Sequence, residues 1–215
     1  MSQPPRTAAA APRGEAGRVR SFPPVFRADA RVLVLGSMPG AASLAAAQYY
    51  AHPRNAFWPI MGALFGAGPQ LPYPDRLDRL LAAGVALWDV IGSCARDGSL
   101  DRAIAADSIV PNDFAALFAA CPQLSAVFFN GAAAETAFRR HVQRAAGSPP
   151  LHLARLPSTS PAHAARRFEA KLEAWQALRV AAGEGPAPAC TPARRGTLPD
   201  PSAGPSPAAA RALAA

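Results

Sequence analysis

The sequence predicts an α/β fold of three layers, in which helices cover both faces of a central, mainly parallel sheet of four strands. One observation behind this prediction is that short runs of β-branched and large apolar residues alternate with longer helical segments. Such an alternation is typical of parallel sheets that are buried on both faces. The chain has 215 residues, enough for one such domain with flanking segments.

Four segments have the composition of buried strands. Arg31–Leu35 is a valine and leucine run that ends at Gly36. The other three are Val85–Ile91, Ser125–Phe129 and Leu151–Leu156. In parallel sheets a ligand binds beyond the carboxyl ends of the strands, so the residues that follow these segments are the first candidates for a site.

Helical segments are predicted between and after these strands. Residues 56–66 can form a helix with Pro59 in the first turn, where a missing N–H is tolerated. The other predicted helices are 75–83, stopped by Gly84; a helix to about Ala120, capped by Asn112 or Asp113; a helix from Gly131 to about Gln143; and a closing helix at 162–182, with Phe168, Leu172, Trp175 and Leu178 on one stripe.

Both ends of the chain have the composition of tails. Residues 1–20 are rich in Ala, Pro and Arg, and residues 184–215 are rich in Pro, Ala and Gly. We therefore expect one folded domain over 21–183 between two disordered tails. No run approaches the roughly 18 apolar residues of a membrane span, and the first residues lack the apolar core of a secretory signal. We expect a monomeric, cytoplasmic protein with no membrane partner.

The formal net charge of +8 favours a polyanionic partner such as nucleic acid. The same charge could arise without a binding function, because a GC-rich genome enriches Ala, Pro and Arg together. Cys94, Cys121 and Cys190 form no CxxC pair and no cluster of metal ligands, so we expect neither a disulfide nor a zinc site. They are too few for an iron–sulfur cluster, and we predict no metal and no cofactor.

Motifs with binding potential follow the first and last predicted strands. After the first comes Gly36-Ser37-Met38-Pro39-Gly40, whose glycines let the backbone approach a ligand and whose amides can donate to an anion or a carbonyl, although such a turn is more often only structural. After the last come three hydroxyl residues, Ser158, Thr159 and Ser160, which could grip a phosphate backbone. Thr159 or Ser160 could also cap the closing helix, with Pro161 at its first position.

The segment from Gln48 to Trp58, QYYAHPRNAFW, gathers aromatic, basic and amide side chains in a way that is unusual for a structural loop. Aromatic rings can stack on a base, Arg54 can meet a phosphate, and the Asn55 amide can hold a water or a base edge. Phe57 and Trp58 could instead belong to the core. His52 could make no more than a local hydrogen bond.

Amide and carboxyl side chains follow the middle strands. Asn130 ends the third strand, where its amide could read the edge of a base or could cap the next helix. Asp89, Asp97 and Asp101 lie near the end of the second strand, and their spacing matches no metal site. We expect Asp101 to cap a short helix and keep Asp89 as a further candidate for the cleft.

These motifs, in this order and at these strand ends, resemble those of the uracil-DNA glycosylase superfamily. The stretches GSMPG, QYYAHPRNAFW, ALWDVIGSCARDGSLD, FFNG and LPSTSPA are most similar to the hypoxanthine-DNA (deoxyinosine) glycosylase branch, and HPRNAFW is also similar to mismatch-specific uracil glycosylases. The resemblance covers residues 22–180. It implies a monofunctional enzyme of that fold, which removes a deaminated base, hypoxanthine first and uracil second, from double-stranded DNA without a cofactor.

The resemblance also implies roles for individual residues. Asn55 is implied as the principal catalytic residue that positions water, because Ser37 stands where related enzymes carry a catalytic amide or carboxylate. Asn130 is implied as the second catalytic residue, which reads the base. The implied substrate-binding residues are Gly36, Ser37, Met38, Pro39, Tyr49, Tyr50, His52 and Phe57, and the implied DNA-binding residues are Arg54, Ser158, Thr159 and Ser160.

Three alternatives stay open at this point. A mismatch-specific uracil or thymine glycosylase would share the same site. A non-catalytic DNA- or nucleotide-binding module would keep the basic and aromatic residues but release no base. A serine hydrolase that pairs Ser37 or Ser158 with His52 or His163 is disfavoured, because the chain has no nucleophile elbow.

Overall fold

The computed structural model describes residues 17–143, 150–163 and 165–183. Within these ranges the strands are β1 Arg18–Arg20, β2 Val32–Gly36, β3 Val85–Asp89, β4 Ile91–Ala95, β5 Val110–Pro111, β6 Ala126–Asn130 and β7 His152–Leu156. The α-helices of the same ranges are α1 Ala41–Ala46, α2 Phe57–Phe65, α3 Tyr73–Ala82, α4 Phe114–Ala120, α5 Ala132–His141 and α6 Phe168–Ala181. Short 3₁₀ turns occur at Asp101–Ala103 and Ala106–Ser108.

The central sheet has the order β3-β2-β6-β7 and all of its neighbouring strands are parallel. Gly36 at the end of β2 is opposite Asp89 at the end of β3, and Asn130 at the end of β6 is opposite Leu156 at the end of β7. The predicted four-stranded parallel sheet is therefore confirmed. The carboxyl ends of its strands are in register and lie at the same end of the sheet.

Helices pack on both faces of this sheet, as a three-layer α/β/α fold requires. Successive side chains of a strand point to opposite faces. Leu33 and Leu35 accordingly belong to one apolar cluster, with side chains from α4 and α5, while Val32 and Val34 belong to another, with side chains from α2, α3 and α6. Each cluster is a contiguous core that buries one face of the sheet.

A second, antiparallel sheet of order β1-β4-β5 was not predicted. The sequence predicts one strand over Val85–Ile91, but the strand breaks at Val90, whose N–H donates to the Gly36 carbonyl across the sheet. After this break, β4 leaves the central sheet and pairs with β1. The predicted tail over residues 1–20 is corrected for the same reason, since Arg18–Arg20 forms a strand. Residues 1–16 and 184–215 lie outside the described residues.

Helix starts agree with the prediction in the middle of the chain and differ near its end. Asp113 caps α4 by accepting a hydrogen bond from the Ala116 N–H at 3.1 Å. The closing helix begins at Phe168 and not at 162, so neither Thr159 nor Ser160 caps it. Phe168 is exposed, and the buried stripe of this helix is formed farther along by Trp175 and Leu178. The short helix α1 was not predicted.

In the described part of the chain, no helix has both the length and the apolar character needed to cross a membrane.

Trp175 joins α6 to the sheet and to the segment after β7. Its ring is fully buried at 5.9 Å from that of Phe57, and its indole N–H donates to the Pro157 carbonyl at 3.0 Å. We expect Trp175→Ala to lower the free energy of unfolding by about 3–5 kcal/mol, because it opens a large cavity and leaves a carbonyl unpaired. Urea denaturation measures this loss.

Val180 on the same helix supplies the control for this experiment. Its side chain is 60% exposed, so Val180→Ala should change the free energy of unfolding by no more than about 0.5 kcal/mol. Equal losses in the two variants would show that α6 does not pack as described.

Candidate active site

One pocket of about 350 Å³ lies beyond the carboxyl ends of the central strands. Its size is in the range of small-molecule sites. Of the residues predicted for the site, it is lined by Gly36, Ser37, Met38, Pro39, Tyr49, Tyr50, His52, Asn55, Asn130, Ser158, Thr159 and Ser160. The four motifs therefore converge on one cavity. Arg54 and Phe57, which were also predicted, do not line it.

The floor of the pocket is a row of residues at the ends of β3, β2 and β6. Asp89 and Gly36 are register partners, and both lie on the sheet face that packs against α2, α3 and α6. A Cβ atom added to Gly36 would collide with Oδ1 of Asp89 and come within 3.3 Å of the Tyr50 hydroxyl. The missing side chain at Gly36 therefore makes room for both polar groups.

Asn130 is fixed in this row by a pair of hydrogen bonds to Thr159. Its Nδ2 donates to the Thr159 hydroxyl at 2.8 Å, and its Oδ1 accepts from the Thr159 N–H at 2.8 Å. The Thr159 carbonyl in turn accepts from the Ala56 N–H at 3.0 Å. One amide hydrogen and one lone pair of Asn130 remain for another partner. The same residue thus joins β6, the segment after β7 and the start of α2.

Asn55 lies in a tight turn immediately before α2. Its N–H donates to the His52 carbonyl at 2.8 Å, and its Oδ1 accepts from the Phe57 N–H at 3.0 Å. Its Nδ2 has no hydrogen-bond partner among the residues that the structure describes, although Asn55 lines the pocket. The ring nitrogen Nδ1 of His52 accepts a hydrogen bond from the Arg54 N–H at 3.1 Å, which is the local bond that was predicted. His52 also lines the pocket.

Aromatic rings form the wall behind the pocket. Tyr50 lines the cavity, and its ring stacks at 3.9 Å on Phe57, which is fully buried. The expected direct contact of Phe57 with a substrate is therefore corrected, since this residue supports Tyr50 from the core. Tyr49 is almost fully buried and donates its hydroxyl to the Pro23 carbonyl. Trp58 is also part of the core.

The turn after β2 is held from outside the pocket. Arg96 is buried and donates to the Pro39 carbonyl at 2.6 Å, and the Ile91 N–H donates to the Ser37 carbonyl at 3.0 Å. The Ser37 hydroxyl donates to Oδ1 of Asp101 at 2.8 Å. The predicted capping role of Asp101 is thus wrong, because its carboxylate anchors this turn. Inside the described ranges, the N–H groups of Ser37 and Met38 donate no hydrogen bond and stay available to a ligand.

The segment after β7 makes hydrogen bonds within the protein that were not predicted. Thr159 is 1% exposed and its polar groups are bonded to Asn130 and Ala56, so its observed role is internal, and its contact with a phosphate stays a prediction. Ser158 and Ser160 line the pocket. Lys171 of α6 donates to the His163 carbonyl at 2.9 Å and so holds the far side of the segment.

Asp89 is a strongly perturbed carboxyl group on the floor of the pocket. Its side chain is 3% exposed, and burial, followed by the nearby Asp101 charge, raises its pKa from 3.8 to about 8, against a smaller opposing effect of Arg96. Its Oδ2 is buried and has no hydrogen-bond partner within the described ranges. The Asn112 amide donates to the backbone carbonyl of Asp89 at 2.8 Å and to the Ser21 hydroxyl at 3.2 Å, and not to the Asp89 carboxyl group. The fold therefore holds this carboxyl group in its neutral form at pH 7.

Comparison with known proteins gives the chain a family. The sequence model of the uracil DNA glycosylase superfamily matches residues 23–179. The chain belongs to this superfamily. Proteins named hypoxanthine DNA glycosylase from Methanosarcina barkeri and Methanosarcina acetivorans are 39% and 37% identical to it over 113 residues, which are 52% of this chain and 70% of each relative.

A solved structure agrees with this assignment. The solution NMR structure of a candidate uracil DNA glycosylase from Methanosarcina acetivorans matches with a TM-score of 0.60 at 31% identity. The match covers 76% of this chain and 98% of that one. The uracil DNA glycosylase-like fold is therefore confirmed.

The place of Asp89 on the floor of the pocket was only partly apparent from the sequence. The signal was present, because residues two apart on a strand share a face and parallel neighbours are in register. When the ends of β2 and β3 are aligned, Asp89 lies beside Gly36. The sequence could not reveal that Arg96 and Asp101 support the first turn, since both act across long separations in the chain. In the described ranges, no group of three or more His, Cys, Asp or Glu residues is arranged to hold a metal.

The neutral state of Asp89 makes the stability of this superfamily member depend on pH. Between about pH 4 and pH 8 the unfolded chain loses the Asp89 proton while the folded chain keeps it. The wild-type protein should therefore lose stability, relative to Asp89→Asn, as the pH rises through this window, by an amount on the order of several kcal/mol. Above pH 8 the difference should level off.

Urea denaturation of both proteins at several pH values measures this difference. Asp78→Asn, an exposed carboxylate on α3, is the matched control and should follow the wild type. A constant difference between wild type and Asp89→Asn from pH 4 to pH 8 would contradict a neutral Asp89.

Proposed function

We propose that this protein is a monofunctional DNA glycosylase that hydrolyses the N-glycosidic bond of hypoxanthine in double-stranded DNA, acting as a monomer. The observation that carries the proposal is the pocket at the carboxyl ends of the strands, which is lined by amide, aromatic and hydroxyl side chains. Membership of the uracil DNA glycosylase superfamily supports a DNA glycosylase, and the two relatives named hypoxanthine DNA glycosylase support the choice of base.

The reaction begins when the damaged nucleotide leaves the duplex and enters the pocket. Extrusion costs a few kcal/mol, and less for a base in a mispair, which gives one source of selectivity. The volume of about 350 Å³ suits a single base with its sugar. The partly exposed ring of Tyr50, supported by Phe57, offers a face for stacking.

Cleavage builds negative charge on the departing base and positive charge on the sugar. Donors that are already oriented stabilise such charge without reorganising. Asn130 supplies one free amide hydrogen from a position that Thr159 fixes, and the turn after β2 supplies the N–H groups of Ser37 and Met38. These groups are assigned to the base.

Asn55 is assigned to the water that attacks the sugar. Its Oδ1 already accepts one hydrogen bond from the Phe57 N–H, which fixes the side chain, and a second lone pair and the Nδ2 hydrogens remain for water. An amide orients water without removing its proton. That is sufficient where bond breaking precedes attack, because the sugar cation is a strong electrophile.

The assignment as a monofunctional enzyme rests on the absence of an amine at the pocket. A lyase step needs an amine that forms a Schiff base with the sugar. Lys171 is the lysine of this chain, and its ammonium group is directed to the His163 carbonyl. Among the described residues, none that lines the pocket is a lysine.

Basic residues on the loops around the pocket are assigned to the DNA backbone. Arg54 is exposed on the turn before α2, and Arg166 and Arg167 are exposed just before α6. Ser158 and Ser160 offer hydroxyl groups at the pocket rim. Contacts of this kind set the position of the protein on DNA and carry no sequence information.

Uracil is the second candidate substrate. The solved structure that matches 76% of this chain is of a candidate uracil DNA glycosylase, and uracil carries a ring carbonyl as hypoxanthine does. Only the relative rates on the two bases separate these possibilities.

Base release from oligonucleotides tests the proposal. Purified protein is incubated with duplexes carrying one inosine, uracil, xanthine or adenine, and abasic sites are cleaved with alkali. We expect the fastest release from inosine, no strand cleavage before alkali, and a loss of about 10²-fold or more in Asn55→Ala and in Asn130→Ala, a loss typical of a removed transition-state donor.

Gln123→Ala is the matched control for these variants. It removes an exposed amide that lies just before β6, at the amino-terminal ends of the strands and so away from the pocket. It should keep wild-type rates. Release of none of the bases by a folded wild-type protein would overturn the proposal, and full activity of Asn55→Ala would remove the role given to that residue.

Arg54 can be tested through the salt dependence of binding. Arg54→Ala should weaken binding to undamaged and damaged duplexes alike and should lower the slope of log K against log salt by about one, as expected for one lost phosphate contact. Fluorescence anisotropy at several salt concentrations measures both effects. Arg140→Ala, an exposed arginine near the end of α5, should leave the slope unchanged.

A further inference from the structure

Two buried polar groups in the pocket have no partner in the part of the chain that the structure describes. They are Oδ2 of Asp89 and the hydroxyl of Tyr50. The Asn130 amide lies near enough to the Tyr50 hydroxyl to oppose, in part, the rise in the Tyr50 pKa that burial causes, but no hydrogen bond of normal length joins them. The Tyr50 hydroxyl and the other carboxyl oxygen of Asp89, Oδ1, lie next to Gly36, in the space that a side chain at that position would fill. A buried polar group without a hydrogen bond is costly, so two of them side by side in a pocket indicate that a ligand completes the bonding.

Among the described residues, no basic side chain forms a salt bridge with the Asp89 carboxyl group. From the loop before α2 come Tyr49, Tyr50 and, across the same pocket, His52; from α3 comes Tyr73. Asp101 is a like charge, and Arg96, the cation that acts on Asp89, is directed to the Pro39 carbonyl. The hydroxyl of Tyr49 is used by Pro23, so it does not donate to the carboxyl group.

From this arrangement we propose that Asp89 acts as a neutral carboxylic acid whose O–H donates a hydrogen bond to the carbonyl oxygen of the extruded base. The inference rests on the proposed function and deepens it, because it names the chemical feature that is read. Deamination replaces an exocyclic amino group by a carbonyl. An O–H donor at that position matches the carbonyl of a deaminated base and opposes the amino group of its parent.

The same hydrogen bond helps the base to leave. As the glycosidic bond breaks, its electron pair passes to the base and negative charge gathers on the base carbonyl oxygens. A neutral acid in an apolar site stabilises an oxyanion by donation, as protonated aspartate does in ketosteroid isomerase. The proton stays on Asp89 throughout. The attacking water adds its oxygen to the sugar and gives up one proton, and the departing base anion takes up one proton, so no further reactant is needed.

A different role for Asp89 would be that of a general base that removes a proton from the attacking water. The two roles have opposite pH dependence. A general base works only when ionised, so the rate would rise with pH and Asn would not replace it. A neutral donor works only when protonated, so the rate would fall with pH, and Asn would keep a donor that does not titrate.

The experiment compares single-turnover release of hypoxanthine from DNA by wild type and Asp89→Asn between pH 6 and pH 9.5. Ionisation of the base affects both proteins and cancels in the ratio of their rates. The ratio of wild type to variant should fall on the order of 30-fold across this range, as follows from a pKa of about 8. Asp78→Asn, the matched carboxylate on the surface of α3, should give a constant ratio.

Two measurements without DNA separate this proposal from the proposed function. Free hypoxanthine should bind to the wild type at pH 6 at least tenfold more tightly than unsubstituted purine, which lacks the carbonyl, and Asp89→Ala should lose this preference. The carboxyl carbon of Asp89, followed by NMR in labelled wild-type protein, should titrate near pH 8. The NMR titration needs no variant and so stands even if one fails to fold.

The outcomes are distinct. If wild type releases hypoxanthine and the ratio stays constant or rises with pH, the role of Asp89 is overturned and the glycosylase remains. If wild type releases no base at any pH, the proposed function fails. In that case a lack of preference for hypoxanthine over purine, or a carboxyl group already ionised at pH 6, would overturn the role of Asp89 as well.

Discussion

Parallel pairing of β3, β2 and β6 brings Asp89, Gly36 and Asn130 into one row, and the central residue of that row has no side chain. A larger residue at Gly36 would occupy the space above the sheet that the Asp89 carboxyl group and the Tyr50 hydroxyl now share. The pocket therefore depends on the register of the sheet and on one absent Cβ. The apolar clusters on both faces fix that register, because a slip by one residue would reverse every strand side chain.

The walls of the pocket are joined to this row by hydrogen bonds between segments far apart in sequence. Thr159 binds Asn130 and the first turn of α2 together, and Arg96 and Asp101 hold the turn after β2 from behind. The bonds of Thr159 and Arg96 are buried or partly buried, so breaking one would leave a polar group without a partner, whereas the bond between Ser37 and Asp101 is exposed. The fold itself thus positions the site.

Much of this could be predicted from the sequence. The valine and leucine runs of the strands and the glycine at the end of β2 indicated the parallel sheet, and the strand ends indicated the place of the pocket. The break at Val90 and the small antiparallel sheet could not be predicted, because they depend on a backbone bond to Gly36 and on pairing with Arg18–Arg20. For Phe57 and Thr159, the family resemblance implied contact with a ligand, while tertiary packing turned them inward.

Tyr50 carries a cost that the rest of the fold must offset. Its backbone is in the left-handed region, with φ at 56°, which is unfavourable for a bulky residue by roughly 1–3 kcal/mol. Glycine there would relieve the strain but would remove the ring that stacks on Phe57. At this position, a change that raises thermal stability would therefore alter the shape of the cavity. Variants selected only for heat resistance would tend to erode the binding wall first, while the sheet beneath it stayed intact.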